Sequence, residues 1–361
     1  MAKVVTVYAP STRELRPVEM GIIRWLRISE AIAARGHQVD LAVGRVPWRP
    51  RRVAPGTSRV RMVPLTGLRW GRYDAVKTLF HRGYETLCRY GGGDHPWVIA
   101  KLGSVVAPED RPGIYFYGRQ RERLFRTQER IAASARHVTV LTDAAGTLFR
   151  EAHGRGGDLL HVPGAAETHI PPAGPDPYPN DGRPRVVFLG SFYSEGPRSQ
   201  PEAHRTLTGK LNRLGRVLAQ RGIALYVVGP GQASSLDPEV VHHIGPVPYE
   251  ASWDYMHHAD VGVVVTHGEF MHNNESTKIY YYLRTGLPVV SELGFPNDHI
   301  LVESGLGHGV PPGMIDAMAE RVVEAIDVPG DREGAIDYIL KHHTWDQRAA
   351  TYDAVLRRDF G

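Results

Sequence analysis

The residues best suited to chemistry crowd into one stretch, His267–Ser291, which follows an apolar run and is dense in polar groups. Ser276 stands where a helix N-cap belongs, and Thr277 and Lys278 follow in the first turn. A helix N-terminus exposes N–H groups and carries a partial positive charge, so it attracts anions. A lysine there opposes the dipole by a few tenths of a kcal/mol, on a scale of about 0.3–1 kcal/mol for such placements. A cation held against the dipole points to a bound anion, and a diphosphate suits the pair. The plainer reading is a lysine in solvent. Glu275 is placed to accept a sugar or ribose hydroxyl, or simply to support the cap. Tyr281, three residues after Lys278, shares its face and turns either to a ligand or to the core. Two glycine loops follow strand-like runs: Gly190-Ser191 after Arg185–Leu189, and Gly229-Pro-Gly231 after Ala224–Val228. Glycine lets a backbone N–H approach a phosphate and the serine hydroxyl adds a bond, although glycine after a strand often makes only a turn.

The first half offers a second, sparser set. Glu19, beside Met20 and Gly21 in the loop after the first strand, is placed for a general base, or is a surface carboxylate among arginines. Lys101 ends a buried-looking strand, where a site role competes with a salt bridge. His81 reads as a histidine on a helix surface and Arg119 as the solvated head of a charged helix, with substrate contact the alternative for each. Arg45, Arg49, Arg51 and Arg52 surround Trp48, a patch that suits a lipid interface or a flexible loop.

These residues need a scaffold, and the periodicity supplies one. Val4–Tyr8, Val39–Val43, Trp97–Ala100, Ile114–Tyr117, His137–Leu141 and Leu159–Val162 read as strands, with helices over Ile22–Arg35, Arg119–Ser134 and Ala144–His153. The second half repeats the alternation. Strands are expected at Arg185–Leu189, Ala224–Val228, Val240–Ile244, Val261–Val265 and Leu287–Ser291. Helices are expected at Leu207–Arg221, Tyr249–His258, Ser276–Thr285, Ile315–Ile326 and Trp345–Arg358. Pro171–Pro184 holds six prolines and two glycines and reads as a linker or a stiff surface loop. The expectation is an α/β protein of two Rossmann-like doubly wound domains, 1–168 and 185–340, joined by a linker over 169–184 and closed by a helix over 341–361. In such sheets ligands sit beyond the carboxyl ends of the strands, where the candidates above lie.

Composition narrows the classes. The 361 residues are 42% hydrophobic and 23% charged, which excludes disordered and collagen-like chains. One cysteine excludes a disulfide framework and a cysteine metal cluster and fits a reducing cytoplasm. No apolar run approaches the roughly 20 residues of a membrane span, and the N-terminus reads as a strand rather than a signal peptide. The net charge of +4 hides an asymmetry: residues 1–165 carry 27 Lys and Arg against 14 Asp and Glu, and the remainder 16 against 25. A basic half meets an anionic membrane surface, an acidic substrate or nucleic acid, or is a solvated arginine face. No nucleic-acid recognition motif is present.

Taken in order, several segments resemble the GT-B glycosyltransferases, in the group of retaining hexosyltransferases with a Glu-x7-Glu motif. Val4–Pro10 and Arg24–Val39 are similar to that group's first strand and helix, and His161-Val-Pro-Gly-Ala-Ala-Glu167 to its crossover into the donor domain. Phe188–Ser191, Val241–Glu250 and Tyr255–Val263 resemble donor-domain segments. Ser276-Thr-Lys-Ile-Tyr-Tyr-Tyr-Leu-Arg-Thr-Gly-Leu-Pro-Val-Val290 resembles a variant of the motif, and Thr344–Tyr352 its closing helix. The resemblance implies a nucleotide-diphosphate sugar, with a UDP-sugar the expected one, held by the second domain. It implies an acceptor glycan, glycolipid or small molecule held by the first, transfer in the cleft, and no cofactor or metal. Lys278, Gly190 and Ser191 match donor positions, Gly229 closes a neighbouring strand, and Glu19, Lys101 and Lys278 are the expected catalytic set. Met20, Gly21, His81 and Arg119 are expected on the acceptor side. A cytoplasmic enzyme at the inner face of the membrane is the expected location. The chain departs from the pattern at three places. The glutamate that grips the ribose falls at Tyr281, and its partner at Asn273 with Glu275 two residues on. The double-glycine loop is Arg16–Gly21, and Lys101 stands where a His-x-His would follow Trp97–Ala100. The donor sugar and retention or inversion stay open, as do a sugar-nucleotide epimerase of the same fold and a non-catalytic nucleotide-sugar-binding protein.

Overall fold

The structure is a computed structural model of the chain and describes residues 1–8, 20–44, 60–91, 95–106, 118–154, 159–195, 201–268, 273–328 and 330–361. It divides into two compact units, Met1–Gly164 with Trp345–Gly361, and Ala165–Thr344.

In chain order the first unit contains β1 (Lys3–Val7), α1 (Met20–Ala34), β2 (Gln38–Val43), β3 (Val60–Pro64), β4 (Ala75–Leu79), α2 (Phe80–Gly91), β5 (Val98–Lys101), α3 (Gly118–Ser134), β6 (His137–Val140), α4 (Asp143–His153) and β7 (Leu159–His161). The second contains β8 (Arg185–Leu189), α5 (Pro201–Ala219), β9 (Ala224–Val228), β10 (Val241–Gly245), α6 (Tyr249–His257), β11 (Val261–Val264), α7 (Thr277–Arg284), β12 (Val289–Glu292), α8 (His299–Glu303), β13 (Gly307–Val310), α9 (Ile315–Asp327) and α10 (Arg332–His342). α11 (Trp345–Phe360) returns to the first unit.

The first sheet has the order β3-β2-β1-β4-β5-β6-β7 and the second β10-β9-β8-β11-β12-β13, with every pair parallel. Parallel strands covered on both faces must be apolar throughout, and the central ones are: β9 is Ala-Leu-Tyr-Val-Val and wholly buried. Each order reverses once, between β1 and β4 in the first sheet and between β8 and β11 in the second. At such a switch point neighbouring loops run to opposite faces and leave a crevice.

The strand and helix alternation expected from periodicity is present. β3, β4, β13, α2, α8 and α10 are additional elements, and the strand expected at 114–117 lies outside the described residues. Of the two expected forms of the proline-rich segment, the stiff surface loop is the closer description. Residues 171–184 carry no helix or strand, as their prolines require, but they pack on the second unit rather than spanning open space. Gly174 N–H donates to Asp254 Oδ1 at 2.8 Å, buried Tyr178 donates to the Tyr255 carbonyl at 2.7 Å, and Arg185 reaches Asp176 at 2.7 Å.

α11 docks on the first unit over a buried lysine. Lys77, in the middle of β4, is 1% exposed, and its Nζ lies 4.9 Å from the Tyr352 ring centroid with no hydrogen-bond partner among the described residues. Burial pushes its pKa down to about 7 from the ordinary 10.5. The unfolded chain therefore binds more protons across that interval, and stability rises with pH from about 7 towards 10.5. Lys77→Met is expected to stabilise the protein at pH 7 by about 1–4 kcal/mol and to flatten this rise, as read from denaturant melts across the pH range.

Candidate functional site

The second sheet's switch point collects the strongest candidates. Register brings Leu189 beside Val228, so the residues that follow, Gly190 and Gly229, are neighbours. Gly190 N–H donates to the Val228 carbonyl at 2.8 Å and Gly229 N–H to the Gly245 carbonyl at 2.9 Å. Both glycines hold positive φ, +149° and +141°. A Cβ on Gly229 would lie 2.4 Å from the Gly190 oxygen, so only glycine fits. Ser191 is exposed, and its Oγ accepts the Tyr193 N–H at 3.2 Å.

α7 points its first turn at this loop. Ser276 takes the N-cap position but does not cap with its side chain, whose buried hydroxyl has no partner among the described residues. Asn297 holds the backbone instead: its Oδ1 accepts the Ser276 N–H at 2.9 Å and its Nδ2 donates to the Ser276 carbonyl at 3.0 Å. Lys278 lies over the Gly190 loop. A Cβ on Gly190 would come 2.8 Å from Lys278 Cε, and Nζ is 4.8 Å from the Phe188 ring centroid. Among the described residues this ammonium makes no ion pair or hydrogen bond. Burial alone pushes its pKa down to about 8. A half-buried cation with no counter-charge among the described residues, beside a glycine loop and a helix N-terminus, has the chemistry to receive an anion.

Three residues that sequence reasoning passed over complete the surroundings. His267, just beyond β11, has Nε2 3.3 Å from the Tyr193 hydroxyl, and its pKa falls to about 3 through burial, then the charges of Lys278 and Lys210. The imidazole is therefore neutral and adds no charge of its own. Glu292, fully buried at the end of β12, accepts from Lys210 Nζ at 2.7 Å, from the Thr266 N–H and hydroxyl at 2.5 and 2.8 Å, and from the Gly313 N–H at 2.6 Å. Both of its oxygens accept, Oε2 from Lys210 and Thr266 and Oε1 from Gly313, so it ties the loops after β11 and β13 together. The end-of-strand rule could have found Glu292 and His267. Lys210, in mid-helix, carries no such signal.

Of its two expected places Tyr281 takes the core: it is buried, stacks on Trp253 at 5.1 Å and donates to Glu167 Oε1 at 3.2 Å. Tyr249 also donates to that oxygen, and its hydroxyl oxygen lies 3.2 Å from that of Tyr281. Arg284 Nε and Nη2 donate to the Glu167 and Thr168 carbonyls at 2.9 and 2.8 Å. α7 thus uses this face to hold the 167–168 segment. Glu275 accepts from the Tyr280 hydroxyl at 2.9 Å, and Thr277 is half-buried in the first turn of α7.

In the first unit the candidates scatter. Glu19 and the patch of Arg45, Trp48, Arg49, Arg51 and Arg52 lie outside the described residues. Lys101 is buried and donates to the Val162 carbonyl at 2.5 Å, tying β5 to the chain after β7 rather than facing a ligand. His81 is not on a helix surface. It is 6% exposed, bonds Gln128 Oε1 through Nε2 at 3.0 Å, and burial lowers its pKa to about 4. Arg119 is exposed on α3. Met20 opens α1, and Gly21 packs on Tyr8 so closely that a Cβ would come 2.5 Å from its hydroxyl oxygen. No helix among the described residues is long and apolar enough to cross a membrane.

No protein-family model and no curated protein sequence matches this chain. Solved structures do. Sucrose-phosphate synthase from Thermosynechococcus elongatus superposes with a TM-score of 0.72 at 14% identity, over 100% of this chain and 99% of that one. Anabaena HepE in complex with UDP-glucose gives 0.66 at 13% identity, over 99% and 100%. AviGT4, a glycosyltransferase involved in avilamycin A biosynthesis, gives 0.62 at 16%, over 99% and 98%. Two parallel doubly wound sheets, in this order and matched over the whole chain, are the GT-B fold, and that is the fold of this protein.

Proposed function

We propose that the protein is a glycosyltransferase that holds a nucleotide-diphosphate sugar on its second unit and passes the sugar to an acceptor hydroxyl. The observation that carries this reading is Lys278: an ammonium without a counter-charge among the described residues, laid against a glycine loop at a helix N-terminus. The Anabaena structure that shares the fold is described with UDP-glucose, which supports a UDP-sugar as the donor. In the reaction the bond from the sugar's anomeric carbon to the diphosphate breaks and a bond to the acceptor oxygen forms. The acceptor's proton leaves to a base or to the departing diphosphate. Negative charge grows on the leaving diphosphate, where Lys278 and the first turn of α7 are placed to meet it. Tyr281 is engaged with Glu167, so a ribose in this site is gripped by groups other than a carboxylate at that position. The acceptor is a glycan, a glycolipid or a small molecule, and the basic first half favours an anionic one or an anionic membrane surface.

A panel of nucleotide sugars, with and without sugar acceptors, tests the reading. Acceptor-dependent release of nucleoside diphosphate is the expected result. Conversion to an isomeric nucleotide sugar would make the protein an epimerase, and binding without turnover a carrier or sensor.

A further inference from the structure

The switch point of the first sheet, between β1 and β4, is built with different chemistry from that of the second. The residue after β1 is Tyr8, and the residue after β4 is Phe80. Their rings meet edge to face at 5.8 Å. Phe80 has φ +57°, a left-handed backbone that bulky residues rarely adopt. It stands at a sharp strand-to-helix junction, with β4 ending at Leu79 and α2 beginning at Phe80 itself. A turn of this kind lifts one side chain clear of the sheet's carboxyl edge, as in the nucleophile elbow of α/β-hydrolases. Here the side chain is an aromatic ring rather than a nucleophile.

The neighbourhood is shaped around that ring. It lies over Gly103, past the end of β5, where a Cβ would come within 2.9 Å of two ring carbons. Gly83 lets α2 approach β1, since a Cβ there would sit 2.4 Å from the Val7 oxygen. His81 turns inward to Gln128, while Arg82 turns outward and sets its guanidinium 5.6 Å from the Tyr8 ring centroid. Arg82 is exposed and makes no ion pair among the described residues. Phe80 remains half-buried and not sealed into the core. Backbone strain costs about 1–3 kcal/mol and persists where the surroundings enforce it, above all at ligand sites.

We infer that Phe80, Tyr8 and Arg82 form the acceptor subsite, and that the acceptor presents a sugar ring bearing an acidic group. The ring's C–H face stacks on Phe80, and Arg82 takes the carboxylate or phosphate, since its planar fork matches both. The assignment of the ligand as an acceptor rests on the transferase reading above.

The test measures binding of glucose 6-phosphate, glucuronic acid and methyl glucoside by saturation-transfer NMR titration in the presence of UDP. UDP affinity is measured separately. The acidic sugars are expected to bind about tenfold more tightly than the neutral glycoside, which corresponds to one charge-assisted contact. The better of the two acids identifies whether phosphate or carboxylate is taken, and either supports the subsite. Phe80→Asn keeps a residue that tolerates the left-handed backbone and should weaken all sugars about tenfold. Arg82→Gln, on the surface and safe for folding, should weaken only the acidic ones. Neither should alter UDP affinity. Sugar affinity unchanged in both variants, or a neutral glycoside bound as tightly as the acids, would overturn the subsite. UDP binding by the unsubstituted protein with no response at these positions defeats the subsite alone. Acidic sugars held at Phe80 with no UDP binding defeat the nucleotide reading and leave the subsite standing.

Discussion

Lys278→Met should weaken binding of a nucleoside diphosphate by about a hundredfold or more, with little effect on folding. A charged contact to phosphate in a partly desolvated site contributes about 2–5 kcal/mol, and each 1.4 kcal/mol is tenfold. Methionine keeps the length of the stem that packs on Gly190 and Phe188, so the loss isolates the charge. The pH dependence gives an independent handle. Burial places the free lysine's pKa near 8, and a bound diphosphate stabilises the protonated form. Affinity should therefore fall as pH rises above about 8, with proton uptake on binding, and the methionine variant should lack this dependence. Calorimetric titration in buffers of different ionisation enthalpy reads both. A Lys278→Met protein that binds UDP as tightly as the unsubstituted one would remove the lysine from the site.

Gly229→Ala should be the most damaging single methyl group in the second unit. Its Cβ would fall 2.4 Å from the Gly190 oxygen and 2.7 Å from the Gly190 carbonyl carbon, atoms of a backbone that cannot rotate away. Its φ of +141° adds strain of its own. The expected cost is about 2–4 kcal/mol in denaturant melts, together with loss of nucleotide binding, because the displaced segment is the Gly190 loop. Gly222→Ala is the matched control. That glycine also has positive φ, +72°, but nothing lies within 4 Å of its Cβ position. It should lose only about 1 kcal/mol, with nucleotide affinity intact. Equal losses at the two positions would mean that backbone conformation rather than the close approach to Gly190 governs the loop.

Much of this was readable before any coordinates. β8, β9, α6 and α7 follow from apolar runs punctuated by glycine and proline, and the Ser276–Lys278 turn does take its place at the end of a switch-point strand. What escaped the sequence has physical reasons. β4 holds a lysine in its middle, which reads as a surface signal although Lys77 is buried. β13 is Gly-His-Gly-Val, whose strand state comes from pairing with β12 rather than from propensity. The spacing of Tyr281 to Lys278 left it open between ligand and core, because its partner, Glu167, lies 114 residues away and no local pattern announces it. Phe80 carries the least visible feature of all. Left-handed residues are expected to be glycine or asparagine, and a phenylalanine gives no hint of one. The proline run was legible as irregular chain, yet the buried Tyr178 that fastens it to the second unit is one tyrosine among 16.

An anion held by Lys278 is the core of the proposed chemistry, and a crystal structure of the protein grown with UDP examines it most directly. It should show the diphosphate within hydrogen-bond reach of Lys278 Nζ and the first N–H groups of α7, above Gly190. Density for the nucleotide anywhere else on the protein, with Lys278 still lying unengaged on Phe188, would contradict it.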